Sequence, residues 1–304
     1  MNIIRKLQKY QLETLINIHN DYINCLLCLN DGRFASASFD SKINIYNKNL
    51  LTIDIQINEH YKSVTFLTQL KNNNVVSCSE DKTINIIKII NNKYILIQTL
   101  LEHHWGVNKI IELNDKQNLA SCSDDKTIII WKKFDNIHYK KTSCLYGHEK
   151  WIENIIEIKS SEILSTSSQE QKLIIWDIYK KSKIKEIKNI FVSNSNQNLF
   201  LIKNYELIIG GNEYIYIMDV FTKNIHKIYK CDFITLSFLY LNNNKIFISG
   251  DNNGNLRQFH YNNKELKSIS RINTFSNGYI NTIILFHGFK IITGSNDKLI
   301  KIWS

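Results

Sequence analysis

Proline is absent from this 304-residue sequence, glycine occurs ten times and methionine twice. Without proline or a glycine period the chain is neither collagen-like nor a proline-rich spacer, and its turns have to be made from Asn, Asp, Lys and Ser. No run approaches 18 consecutive apolar residues, so no membrane-spanning helix is expected. Residues 1–9 lack the apolar stretch and small-residue cleavage site of a secretory leader, which points to a cytoplasmic or nuclear address. The six cysteines are too few and too scattered for a disulfide framework and read as buried thiols in a reducing compartment. Arginine is scarce too. The 38 basic residues outnumber 28 acidic ones to give a net charge of +10, but only Arg5, Arg33, Arg257 and Arg271 carry the fork that grips phosphate or guanine in two bonds. The charge therefore permits nucleic acid, acidic lipid or acidic protein as partners and favours none.

What is present is a core's worth of apolar residues, 43% of the chain, with 22% charged, as in folded proteins. The length allows either two ordinary domains or one large domain of repeated units. Self-similarity decides. Ser36-Ala37-Ser38-Phe39-Asp40, Ser77-Cys78-Ser79-Glu80-Asp81 and Ser121-Cys122-Ser123-Asp124-Asp125 are each followed by an alternating apolar run. Further copies run over 166–176 and 293–303, with weaker ones over 208–218 and 249–259. The apolar residue that closes each copy falls at Tyr46, Ile87, Trp131, Trp176, Met218, Phe259 and Trp303, spaced by 41, 44, 45, 42, 41 and 44. Within a unit, apolar residues alternate with period two between short polar clusters. In the second unit this predicts strands over 64–70, 75–79, 83–88 and 94–100. A four-stranded sheet of this size cannot bury both faces by itself, whereas seven arranged around an axis cover one another.

The pattern resembles the WD40 repeat: a His near the start, Ser-x-Ser-x-Asp before the third strand, an aromatic at its end. Gly147-His148 followed by Trp176-Asp177 is the nearest single copy. The resemblance implies an all-β, seven-bladed WD40-type β-propeller. Its approximate blades span 19–56, 60–100, 103–145, 148–188, 190–230, 232–272 and 276–304 plus 11–16, the N-terminal strand completing the last blade in a single domain over 1–304. The fifth unit lacks the His and has Asn212 for the Asp, the sixth has Asn253, the fourth Glu170, and the second closes with Ile87, so these blades are expected to be looser.

His19/Ser38/Asp40, His60/Ser79/Asp81 and His103/Ser123/Asp125 look like hydrolytic triads, which are defined by geometry rather than order. A catalytic set is needed once, however, and repetition in every unit argues for structure. The resemblance implies that role, tying a loop to a tight turn together with Trp131 in the third unit, with His148, Glu170 and Trp176 in the fourth and with Asp297 and Trp303 in the last. Cys25-Leu26-Leu27-Cys28 has zinc-like spacing, but residues three apart on a strand face opposite ways. Cys78 and Cys122 share one repeat position and read as packing, and in His103-His104-Trp105 one His fills the repeat role. No metal site, cofactor site or catalytic residue is expected. The lysine clusters 132–133, 140–141 and 180–185 fall after third strands and read as a solvated rim, and no Phe-Arg-Arg-Gly phosphoinositide motif is present.

Residues flanking the first apolar position of each first strand, and the residue before the repeated Asp, should ring the central channel. They are Tyr22, Asn24 and Phe39; Ser63, Thr65 and Glu80; Gly106, Asn108 and Asp124; Trp151, Glu153 and Gln169; Thr235, Ser237 and Asn252; Tyr279, Asn281 and Asn296. The fifth unit is too degenerate to place. Tyr22, Phe39, Tyr279 and Trp151 beside Glu80, Asp124 and Glu153 suit capture of a basic segment, with Lys82, Lys126 and Lys298 partly offsetting the acids. The expected function is a non-enzymatic scaffold or adaptor for one or more proteins. The alternative is a reader of one defined ligand, such as ubiquitin or a basic or modified peptide tail, with nucleic acid and acidic lipid less favoured. No F-box, coiled coil or other added module is visible.

Overall fold

The computed structural model describes residues 11–49, 51–115, 117–135, 137–195, 197–202, 206–241, 245–262, 265–274, 278–287 and 290–304. Residues 1–9, which lack leader features, and the blade boundary drawn at 276 lie outside them.

Seven antiparallel sheets of four strands follow one another, each ordered from the channel outward in chain order except the last. Blade 1 comprises Ile23–Cys28, Phe34–Ser38, Ile43–Tyr46 and Ile53–Ile57. Blades 2 to 6 repeat it over 64–100, 107–146, 154–188, 199–230 and 235–273. In blade 7, Ile280–Phe286, Lys290–Ser295 and Ile300–Trp303 are completed by Leu12–Ile16, which pairs antiparallel with Ile300–Trp303. Both chain ends thus share one sheet, and no blade is left open in the circle. The strands of blade 2, Val64–Gln69, Val75–Ser79, Ile84–Ile90 and Lys93–Leu100, lie within two residues of those expected from alternation.

The apolar core is divided among the gaps between blades. Each cluster draws on two neighbours: Ile43, Ile45 and Ile57 of blade 1 meet Val64, Leu67 and Val75 of blade 2. Around the circle the last cluster joins Ile292, Ile300 and Ile302 of blade 7 to Ile23, Phe34 and Tyr46 of blade 1. Middle strands are consequently buried on both faces, as in Phe34–Ser38 and Ile300–Trp303. Outer strands such as Ser182–Lys188 are largely exposed, and the lysines there discourage pairing with another chain. Close approach at the channel wall requires a missing side chain in blade 7. A Cβ on Gly294 would stand 2.6 Å from Ile23 Cγ2 of blade 1.

Turn chemistry follows from the composition. The turn between second and third strands needs a left-handed residue, and it is Ser41 in blade 1, Lys82 in blade 2, Lys126 in blade 3 and Lys298 in blade 7. Only Gly254 of blade 6 supplies glycine at this position. A side chain in this conformation costs about 1–2 kcal/mol, part of which glycine would return as unfolded-state entropy. Lys82→Gly and Lys126→Gly are each expected to raise stability by about 0.5 kcal/mol. A denaturant midpoint unchanged or lowered in both would contradict this.

Candidate functional site

One end of the propeller carries the turns between second and third strands together with the loops that lead into first strands. Both are fixed by the repeated polar residues. In blade 3, Trp131 Nε1–H donates to Ser121 Oγ (2.8 Å), Ser121 lies 2.7 Å from His103 Nε2, and His103 Nδ1 lies 2.8 Å from Asp125 Oδ2. Because the indole occupies the serine as acceptor, the serine proton goes to Nε2 and the histidine proton to the carboxylate. Asp125 also accepts the backbone N–H groups of His104 and Thr127, fixing the loop and the turn together. Blade 4 repeats the relay with Trp176, Ser165, His148 and Glu170. Blade 1 does so with Tyr46, Ser36, His19 and Asp40, and blade 2 with Ser77, His60 and Asp81 but no ring hydroxyl or indole.

The serine expected in these sets was the wrong one of each pair. Ser38, Ser79 and Ser123 do not reach the histidine. Ser36, Ser77 and Ser121, two residues earlier, do so. The two serines share a face of the strand, but only the earlier one lies mid-sheet under the imidazole. The later one sits at the strand end, accepting the Asp40, Asp81 or Asp125 amide and donating to the Asp21, Lys62 or Trp105 carbonyl. Blades 6 and 7 have no histidine here and use a cation from their own third strand, partly buried in blade 6 and buried in blade 7. Arg257 Nε pairs with Asp251 (2.7 Å) and Lys301 with Asp297 (2.8 Å). Trp303 keeps its bond to Thr293 (3.1 Å).

Burial works to raise the carboxyl of Asp40, yet the His19 hydrogen bond and the Asn20 amide outweigh it and hold the pKa at about 2. Asp81 behaves alike through His60 and Thr83. Their stabilisation is present above the ordinary carboxylate range and lost as pH falls through about 2.

First strands carry a bulge after their first residue in blades 1, 2, 3, 6 and 7. The extra residue is turned toward the channel. Asn24, Thr65, Asn108 and Asn281 occupy it, and each donates to the carbonyl of the next blade's first strand or its entry: Val64, Val107, Ile152 and Ile23. Asn154 to Asn198, Ser195 to Leu236 and Ser237 to Ile280 continue the same belt across the remaining gaps. These ring residues are therefore interblade staples. Thr235 and Ser237, expected at the mouth, are fully buried. The register pairs Thr235 with Asp251, so Ile234 and Leu236 face the opening instead.

Inside the ring opens a cavity of about 710 Å³. Tyr22, Phe39, Glu80, Glu153 and Tyr279 line it, and the fifth blade contributes Asn194, Ser195 and Asn212. A backbone bond from each residue before the turn acid to the residue before the first strand sets the pairs: Phe39 to Tyr22 (2.8 Å), Glu80 to Ser63 (3.0 Å), Asp124 to Gly106 (2.9 Å), Asn296 to Tyr279 (3.0 Å). The Tyr22 and Phe39 rings lie 6.2 Å apart. Trp151 and Asp124 do not line the cavity. Trp151 is exposed in its loop, and Asp124 is held by the Asn108 amide at 2.7 Å. Glu153 is buried rather than presented. The one-residue-longer turn of blade 4 needs a cap, and the carboxylate accepts the Ser168 amide (2.9 Å) and hydroxyl (2.7 Å). Burial, with Asp124 adding repulsion, pushes it up to about 7. Burial likewise raises Glu80 and Asp124.

Two features escaped sequence reading. Tyr61 and Trp105 are exposed in the loops that follow His60 and His103, a signal that lay one and two residues past each repeated His. Lys109 is buried in the channel wall, donating to Asn154 Oδ1 (2.7 Å) over the Phe66 ring, and burial lowers it to about 8. Cys25 and Cys28 donate to carbonyls of different neighbours, Leu67 and Leu285, so they share no face, and burial raises their thiols to about 12 and about 11. No group of three or more His, Cys, Asp or Glu that could hold a metal occurs among the described residues.

The family model for WD domain, G-beta repeat matches residues 10–47 and 95–132. Each match begins at or just before the outer strand of one blade, or within it, and ends with the third strand of the next, the same offset that gives Leu12–Ile16 to blade 7. The chain carries WD40 repeats and folds as a seven-bladed β-propeller. No curated protein matches the chain. In this WD40 propeller the serine assignment is directly testable. Ser121→Ala strands two buried polar partners and should cost about 2–3 kcal/mol, whereas Ser123→Ala should cost about 1 kcal/mol. Equal losses in a denaturant titration would contradict the relay.

Proposed function

We propose that the chain is a non-enzymatic platform that captures a protein through a basic segment at the channel mouth. WD40 propellers are commonly interaction scaffolds, and the repeated His–Ser–Asp sets are consumed in holding turns. The observation that carries the reading is a cavity of about 710 Å³ whose lining brings Tyr22, Phe39 and Tyr279 of blades 1 and 7 together with Glu80 of blade 2 and, set into the wall, Glu153 of blade 4. A lysine or arginine of the partner would pack its stem on Tyr22 and Phe39 and place its charge toward the acids. Trp151, Tyr61 and Trp105 would extend the contact over the exposed loops of blades 2 to 4. Lys109 beneath the mouth limits how deep a cation can go.

Tyr22→Ala, Phe39→Ala and Trp151→Ala together should abolish capture of basic peptides from an array while leaving the unfolding midpoint unchanged, each ring being worth about 2 kcal/mol at such a site. Undiminished capture would remove the reading. A second consequence concerns pH. Glu153 is raised, so it binds a cation only once ionised, and capture should strengthen as pH rises through about 7. Its effect on folding has the opposite sense. The protonated form is the one the fold prefers, so Glu153 favours folding below the ordinary carboxylate range and loses that contribution as pH climbs to about 7. Glu153→Gln should flatten both profiles. Peptide affinity independent of pH between 6 and 8 in the parent chain, measured by titration calorimetry, would contradict the assignment.

A further inference from the structure

The opposite end of the propeller carries the turns between third and fourth strands, and there a second regularity appears. Three residues past the buried closing residue of blades 2, 3, 4 and 5 stand Ile90, Phe134, Tyr179 and Phe221, which are 42%, 56%, 62% and 59% exposed. Blades 1 and 6 have Asn49 and Asn262 in that place. Four neighbouring blades therefore each project a bulky apolar tip from one arc of one rim, where blades 1 and 6 present asparagine. Scattered exposed apolar residues need no explanation, but a row at one repeat position does.

Charge on the arc is asymmetric. Its acids serve as turn caps: Asp135 accepts the amides of Ile137 and His138, Asp177 those of Tyr179 and Lys180, Asp219 those of Phe221 and Thr222. Lys132, Lys140, Lys180 and Lys181 stand exposed among the tips, with Lys140 Nζ 5.9 Å from the Phe134 ring and Lys159 Nζ 6.0 Å from that of Phe221. The Tyr179 hydroxyl reaches Asp115 in the neighbouring turn of blade 3 at 3.3 Å, so the arc is one continuous surface.

From this juxtaposition we infer that the rim of blades 2 to 5 is a docking surface for an anionic lipid bilayer. Turn tips set at equivalent heights by the repeat suit a flat partner rather than one that fills a groove. Aromatic rings with lysines beside them are the composition that settles at headgroup level, apolar tips entering the acyl boundary and ammonium groups facing lipid phosphate. A nucleic acid would call for ring stacking at every step and for free arginine forks, yet one of the four tips is Ile90, and Arg33, which reaches the turn beside it, is held by Asp31 and the Asn91 carbonyl. The surface is at the other end from the peptide-binding mouth and does not depend on it.

The test is flotation of the purified chain with vesicles of phosphatidylcholine alone and of phosphatidylcholine with phosphatidylserine. Association only with the serine lipid, falling as salt is raised, is the expected result. Phe134→Ser, Tyr179→Ser and Phe221→Ser combined should weaken it roughly tenfold or more at an unchanged unfolding midpoint, and so should Lys132→Glu with Lys180→Glu. Should the triple variant unfold, Tyr179→Ser with Lys180→Glu gives the same reading. No association with either vesicle, or equal association by these variants, overturns the inference. So does loss of self-association or of single-stranded oligonucleotide binding in the triple variant without vesicle binding by the parent.

Discussion

Everything in this molecule depends on closure. Each sheet has two apolar faces and too few residues to cover either, so a blade is stable only between two others, and a row of blades is stable only if its ends meet. The strand Leu12–Ile16 against Ile300–Trp303 makes them meet, with Ile16 entering the cluster shared by blades 7 and 1. The belt of side-chain bonds from each first strand to the next then runs around the channel.

Closure also explains what the polar residues do. A circle of sheets has to keep its loops from reaching into the channel, and the relays of blades 1 to 4 pin the entry loop to the neighbouring turn through one imidazole. Where the histidine is gone, Arg257 and Lys301 supply a cation from within the sheet to the same turn. Asp297 stands at the turn acid and Asp251 at the place of the capping serine, yet each is paired from its own third strand, so the requirement is a partnered carboxylate in the turn rather than a histidine as such. It follows that the recurrent buried polar residues of the relays mark architecture in this chain, and that recognition is to be sought in exposed positions outside them.

Blade number, strand order, closure by the N-terminal strand and the pairing of Tyr22 with Phe39 or Tyr279 with Asn296 were legible in the sequence, because a period near 43 residues and strict alternation leave little freedom. The failures have physical causes. Ser36 and Ser38 are indistinguishable by alternation, since both face one way, and only the position of His19 separates them. Thr235 and Ser237 were misplaced because blade 6 opens its first strand with Thr235 where blades 1, 2, 3 and 7 have an apolar residue, so the register was read from Leu236, one residue late. Glu153 was taken as presented although the extra residue of its turn turns it inward to Ser168. The ion pair of Asp251 with Arg257 was missed because Asp251 stands where the other blades have the turn-capping serine. Row-wise features such as Ile90, Phe134, Tyr179 and Phe221 become visible only when blades are laid side by side, since each alone is an ordinary exposed residue.

The two ends of the propeller thus differ in character, an acidic and aromatic mouth at one and a lysine-bearing apolar rim at the other, both resting on one closed frame. The most direct measurement is hydrogen–deuterium exchange on the chain and on Thr14→Pro, which removes a donor facing Ile302 from the strand that closes the last sheet. If closure carries the fold, protection falls in blade 7 and also in the first strands of blades 1 and 6, which face it. Loss confined to residues 12–16 and 300–303, with the neighbouring blades as protected as before, would contradict the account.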